Sequence, residues 1–224
     1  MTASLPPAEP STILAAEGSL PLADFVERAR RRLFHAAPVT GEAARGDHDL
    51  TPQFRGMVDP SRMRDAAVLV PVMARPEPTV LLTLRSAHLS SHAGQIAFPG
   101  GKIEPFDEGP AGAALREAQE EVGLDPARVT PLGYLDAYLT RTAFRIVPVV
   151  ALVDAAAELT INRDEVDEAF EVPLGFLMAP GNHQRHSRQS DGLTRMFHAM
   201  AYEDRFIWGV TAGILRNLYE RIYG

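Results

Sequence analysis

Glu117, Glu120 and Glu121 are spaced so that a helix gathers all three carboxylates onto one stripe. At about 100° per residue, with Ala114 set to zero, they occupy an arc of roughly 240–340°. Ala111, Leu115, Ala118 and Val122 share one quadrant of the same wheel, which is the expected buried side. The acidic arc opposes itself. Glu117 and Glu121 are a like-charge pair four residues apart, which costs the helix about a few tenths of a kcal/mol. Glu120 and Glu121 also sit in the last turn before Gly123, the expected stop, where the helix dipole disfavours anions. A hard divalent cation turns that repulsion into coordination: it takes carboxylate oxygens and keeps water or phosphate as its other ligands. The plain alternative is a solvated acidic face, with Arg116 offsetting Glu120 at the four-residue spacing.

The residues ahead of this stripe separate the two readings. Gly100-Gly101 form a turn able to bring backbone close to a ligand. Glu108 stands eight positions before Arg116, and Gly123 and Leu124 close the run. The whole segment resembles the Nudix box, with Arg116, Glu117, Glu120, Glu121, Gly123 and Leu124 all in place. It departs in one respect: Gly101 lies one residue too far from Glu108, an insertion a surface loop absorbs. The resemblance implies an α+β Nudix fold, a mixed β-sheet core sandwiched between α-helices. It also implies a Mg²⁺ or Mn²⁺ cofactor held by Glu117, Glu120, Glu121 and the Gly101 carbonyl, with Arg116 orienting the glutamates. Glu120, Glu165 and Glu168 are the candidates for the group that takes a proton from the attacking water.

Further upstream, the run from Leu81 to Gly101, LLTLRSAHLSSHAGQIAFPGG, is similar to the signature of the coenzyme A diphosphatases within that family. Leu81, Leu82, Thr83, Arg85, Ser86, Gly94, Phe98, Pro99, Gly100 and Gly101 carry the match. Ser90 stands where that branch usually has arginine. Glu165–Leu174 (EVDEAFEVPL) and Ile207–Ala212 (IWGVTA) are typical of the same branch. The implied reaction is hydrolysis of the diphosphate of coenzyme A and its acyl derivatives, giving adenosine 3′,5′-bisphosphate and 4′-phosphopantetheine. Arg85, Ser86 and Lys102 are the substrate-binding candidates, since a phosphate wants a basic partner; each cation is equally readable as an ordinary surface charge. Trp208 either packs in the core or stacks on a base. ADP-ribose or NADH is the alternative substrate, and a non-catalytic nucleotide sensor the alternative class. Intact box glutamates and the lack of a legible helix-turn-helix favour the enzyme.

The elements that must position these residues follow from periodicity. Residues 1–18 are Pro-, Ala- and Ser-rich and read as a loose tail. Leu22, Phe25, Val26, Ala29 and Leu33 mark an amphipathic helix at about 20–35, a packing helix with solvated arginines rather than a membrane-surface one. Residues 1–60 form an N-terminal extension on this reading, and residues 61–224 the Nudix hydrolase domain. Ala66–Met73, Thr79–Leu84, Gln95–Phe98, Val129–Leu139, Phe144–Val153 and Arg195–Tyr202 read as strands. Asp164–Phe170 reads as a short helix and Thr211–Tyr223 as a closing one, with Ile214, Leu218 and Ile222 as its seam. His88 and His92 lack the glutamate of a zinc helix and read as turn residues. Composition sets the outer limits. With 46% hydrophobic residues and no long apolar run, the 224-residue chain reads as globular, with no membrane span expected. Zero cysteines exclude disulfides and thiolate chemistry, and fit a cytoplasmic location. A net charge of −7 argues against nucleic acid as a partner. The expected partner is a small diphosphate substrate, and a homodimer is allowed.

Overall fold

In the computed structural model, residues 20–38, 44–53, 62–89, 92–190 and 193–224 are described. The tail expected over residues 1–18, and Ser90, lie outside them. Helix α1 covers Leu22–Arg32 and strand β1 Arg45–Gly46. Strands β2 (Arg64–Met73), β3 (Thr79–Arg85), β4 (Ile96–Ala97) and β5 (Gly100–Lys102) lead into helix α2 (Gly109–Val122). Strands β6 (Val129–Tyr134), β7 (Tyr138–Leu139), β8 (Phe144–Val153) and β9 (Val166–Pro173) follow, then the short helix α3 (Leu174–Met178). A meander of β10 (Gln184–Ser190), β11 (Leu193–Tyr202) and β12 (Arg205–Trp208) precedes the closing helix α4 (Val210–Tyr223).

The centre of the larger sheet is the parallel pair β2 and β8, in register from Arg64 opposite Phe144 to Met73 opposite Val153. Both strands are near-continuous apolar runs because both of their faces are covered. The period of two divides β2 between two cores. Ala67, Leu69 and Met73 pack with Ala114, Ala118 and Val122 of α2, while Val70 and Val72 pack with Phe25 of α1 and Ile214 and Leu218 of α4. The mixed sheet is thus layered between helices, an α+β architecture. Phe25 and Ala29 of α1 are fully buried in the second core, so the N-terminal helix is packed against this body.

Three sequence expectations are corrected. Gly100-Gly101 do not form a turn: they open β5, paired with Val68 and Ala67 of β2, because glycine lets the two backbones lie this close. Asp164–Phe170 is not helical: β9 runs antiparallel along β3, with Val80 opposite Val172 and Thr83 opposite Ala169. The acid-rich run carries some helical spacing, but β3 offers an open ladder edge, and pairing with it overrides local preference. The single strand expected over Val129–Leu139 is two strands. Pro131 and Gly133 bracket a register shift against β8, and Asp136 and Ala137 leave the ladder before β7 resumes it. Proline lacks the ladder donor, and Gly133 takes a φ of 151°, so the backbone turns there.

Candidate active site

Helix α2 begins after Glu108 with Pro110 in its first turn and ends at Gly123, whose φ of 67° is the left-handed stop expected from the sequence. A side chain at 123 would also meet the Thr160 carbonyl oxygen at 2.9 Å. The carbonyls left over at this end are satisfied by an incoming loop: the Thr160 amide donates to Val122 at 2.8 Å and the Asn162 amide to Glu121 at 2.9 Å. That loop carries Glu165. The Ser86 amide donates to the Glu165 carbonyl at 2.9 Å, and the Asn162 side-chain amide to the Glu165 carboxylate at 3.3 Å. Glu165 is thereby held close enough to raise the pKa values of Glu117 and Glu121 by repulsion.

The wheel placed the glutamates on an arc apart from the buried side, and the packing rotates that picture. Ala113, Ala114, Ala118, Glu121 and Val122 are the buried residues of α2, so Glu121 lies within the buried arc. Only 2% of it is exposed. Burial pushes its carboxyl up to about 7, against the opposing pull of Arg85 and of the Gly100 amide. The contacts behind that pull are an Arg85 guanidinium nitrogen at 3.4 Å and the Gly100 amide at 3.3 Å. Burial also raises Glu117 above the usual carboxylate range, opposed by Arg116. Glu120 is about half exposed.

Arg116 organises this cluster. Its guanidinium donates to Glu117 at 2.9 Å, to Glu120 at 3.0 Å and to the Lys102 carbonyl at 3.1 Å. From its other edge it grips Asp107 in a two-pronged pair at 2.9 and 3.0 Å. Asp107, whose carboxylate is only 4% exposed and is held below its ordinary pKa by that pair, also accepts from the Glu104 amide at 2.7 Å. The sequence reading missed it, because spacing alone does not separate Asp107 from Glu104 and Glu108 in the same loop. This pair ties the lengthened loop between Gly101 and Glu108 to α2.

The remaining sequence candidates divide. Gly101 packs so tightly on Glu117 that an added Cβ would lie 2.4 Å from its Cδ. Arg85, Lys102, Gly100 and Gly101 line a cleft of about 380 Å³ that continues past Phe98 and Trp208. Arg141 and Arg195, neither singled out in the sequence, line it as well, and none of its described lining residues is acidic. Trp208 combines both readings offered for it: it lines the cleft and packs edge-on against Phe197 at 5.5 Å. Ser86, expected to touch substrate, is 1% exposed and outside the cleft lining. It is turned inward at the end of β3, where its hydroxyl lies 3.4 Å from the His88 amide. Glu168 is not brought to the cluster: its carboxylate takes Arg205 at 2.6 Å, from a position opposite Leu84 on the sheet.

Among the described residues no three His, Asp or Glu side chains are arranged as they stand to hold an ion. Glu117 and Glu120 are turned to Arg116, and Glu121 to Arg85. The donors nevertheless fit a hard divalent cation in kind. They are carboxylates on adjacent helical turns, one of them buried with its charge disfavoured, beside a glycine whose missing side chain leaves the backbone against Glu117.

A family model for the NUDIX domain matches residues 63–191. An uncharacterized Nudix hydrolase, NudL, of Yersinia pestis (strain Pestoides F) is 41% identical over 159 residues, covering 71% of this chain and 80% of its own. NudL of Yersinia pseudotuberculosis serotype O:1b shows the same identity and coverage. Among solved structures, a C. elegans Ap4A hydrolase binary complex is 19% identical over 49% of this chain and 80% of its own, with a TM-score of 0.42. At that TM-score the likeness carries nothing on substrate. The chain belongs to the Nudix family and is a Nudix-type hydrolase. Nudix hydrolases generally use divalent metal ions. Among the described residues no helix is long and apolar enough to cross a membrane.

Proposed function

We propose that the protein hydrolyses the diphosphate bond of coenzyme A and its acyl derivatives in the presence of Mg²⁺ or Mn²⁺, releasing adenosine 3′,5′-bisphosphate and 4′-phosphopantetheine or its acyl form. The observation that carries this reading is the charge of the cleft. Arg85, Lys102, Arg141 and Arg195 bring four basic side chains to its lining, Arg85 lying 3.4 Å from Glu121, in a chain whose net charge is −7. Such a cleft suits a substrate with more phosphate than a bare diphosphate bridge, and coenzyme A carries a 3′-phosphate beyond its diphosphate. The resemblance of residues 81–101 to the coenzyme A branch supports the same substrate. Phe98, Phe144, Ile146 and Trp208 give the cleft apolar walls for the base or the pantetheine arm.

In this reading Glu117, Glu120, Glu121 and the Gly101 carbonyl hold the cation. When bound, the ion supplies charge neutralisation and Lewis acidity at the diphosphate. Arg116, fixed by Asp107, compensates the charges of Glu117 and Glu120 until the ion takes their carboxylates. Arg85 and Lys102 take phosphate oxygens at the mouth of the cleft. Glu165, tied to the end of α2, accepts the proton of the attacking water. Phosphoryl-group chemistry of this kind needs positioning and charge stabilisation more than covalent participation.

The test is purified protein with Mg²⁺ or Mn²⁺ against coenzyme A, acetyl-CoA, 3′-dephospho-CoA, ADP-ribose, NADH and a nucleoside triphosphate, with products identified by mass. Coenzyme A and acetyl-CoA should give the highest kcat/KM, and loss of the 3′-phosphate should raise KM. Preferential cleavage of ADP-ribose would overturn the substrate assignment.

A further inference from the structure

A second cavity, of about 170 Å³, lies behind the substrate cleft, lined by Arg45, Arg185, His198, Arg216, Asn217 and Glu220 among others. The two spaces share their dividing elements. Arg195 of β11 and Ile214 of α4 line the cleft, while their neighbours Met196 and Gly213 line the second cavity. Nothing in the proposed hydrolysis uses it.

Two of the residues lining this cavity carry a buried polar atom without a hydrogen-bond partner, Asn217 Oδ1 and His198 Nδ1, each closed to solvent as the side chains stand. Asn217 is 3% exposed. Its amide nitrogen is 3.5 Å from the Asp136 carbonyl oxygen, which can only accept, so the oxygen is the end left over. A buried carbonyl oxygen without a donor is unfavourable. The charge around it is unbalanced in the same direction. Arg45 and Arg216 share one carboxylate, each donating to a different oxygen of Glu220 at 2.7 Å. Asp49 is 3.9 Å from Arg45, and Arg185 adds a third guanidinium, so among the described lining residues three cations face two anions. Burial lowers the His198 pKa, with Arg216 and Arg185 adding to the effect.

We infer that this cavity binds a small phosphate-type oxyanion that carries a proton: its charge meets the arginines, and its hydroxyl donates to Asn217 Oδ1 once that side chain turns toward the cavity. The available volume admits inorganic phosphate or the phosphate end of a small ester, and is too small for a nucleotide. Sulfate has the same shape and charge but no proton at neutral pH. It would leave Asn217 Oδ1 facing an anionic oxygen.

Calorimetric titration of the full chain, kept metal-free with chelator, tests this with inorganic phosphate, glycerol 3-phosphate and sulfate as probes. Phosphate should bind at least about tenfold more tightly than sulfate, the scale set by one unsatisfied buried acceptor. Arg185→Ala, at an exposed position, and the near-isosteric Asn217→Asp should each weaken phosphate binding by about tenfold or more. Arg85→Ala and Lys102→Ala should leave it unchanged. Binding of glycerol 3-phosphate alongside phosphate identifies an ester end as the ligand, and binding of phosphate alone identifies the free ion. No binding of any probe, equal binding of sulfate, or binding lost in Arg85→Ala and retained in Arg185→Ala would each overturn the inference, the first leaving a cavity that holds only water.

Discussion

Adjacent glycines of β5, Gly100 and Gly101, separate the fold from the site, and alanine at each should fail differently. At Gly101 an added Cβ would lie 2.4 Å from Glu117 Cδ and Oε1 and 2.7 Å from Oε2. Carbon contacts settle at about 3.5–4.0 Å, so the carboxylate must retreat by roughly 1 Å. The Glu117 side chain can turn away at about 0.5–1.5 kcal/mol, the scale of an off-rotamer torsion. A domain of this size loses about 2–4 °C in Tm per kcal/mol. The stability loss is therefore small. The catalytic loss is not: if Glu117 holds the cation, a displacement of about 1 Å costs turnover on the order of 10²-fold. At Gly100 the same Cβ would lie 2.4 Å from the Ala67 carbonyl oxygen and 2.7 Å from the Val68 Cα, which are backbone atoms of β2. They cannot retreat without parting β5 from β2, so Gly100→Ala should cost about 1–3 kcal/mol or more. Thermal melts, with kcat measured across a Mg²⁺ or Mn²⁺ titration, distinguish the two. Gly101→Ala should keep its Tm within a few degrees, lose turnover and need more metal. A Gly101→Ala enzyme with wild-type turnover and unchanged metal dependence would refute the placing of Glu117 at the metal.

Three further outcomes are expected. Glu120→Gln and Glu121→Gln should each lower turnover by orders of magnitude while circular dichroism stays native, and near-normal rates in either would remove that residue from the metal site. Glu165→Gln should lower kcat by orders of magnitude, and Glu168→Gln should leave it near wild type, because Glu168 is engaged by Arg205; the opposite result in paired kcat measurements would exchange their roles. Burial lowers His183 from 6.5 to about 4. A depressed imidazole contributes stability that is complete above pH 6.5 and is lost as pH falls toward 4. His183→Gln should flatten the fall of Tm with pH in that window, and an unchanged slope would rule His183 out as its source.

What could be read along the chain is what is local. Spacing put Glu117, Glu120 and Glu121 on one helix, and Gly123 ends α2 in the left-handed conformation its position in the run required. The strands β2, β3 and β8 announced themselves by apolar runs, which depend only on having both faces covered. What spacing did not supply was direction and company. Which flank of α2 faces inward was settled by the sheet it lies on, and that choice buried Glu121 among alanines. Asp107 became the anchor of Arg116 only once the loop folded back over the helix start. Asp164–Phe170 became β9 because β3 had an edge to fill. The cleft brings together residues from 66 to 214, and Arg141 and Arg195 look like ordinary surface cations until β7, β11 and α4 converge. Geometry within one helical turn is written into neighbouring residues, whereas burial, ion pairing and cavity charge depend on atoms that meet only after distant segments have packed.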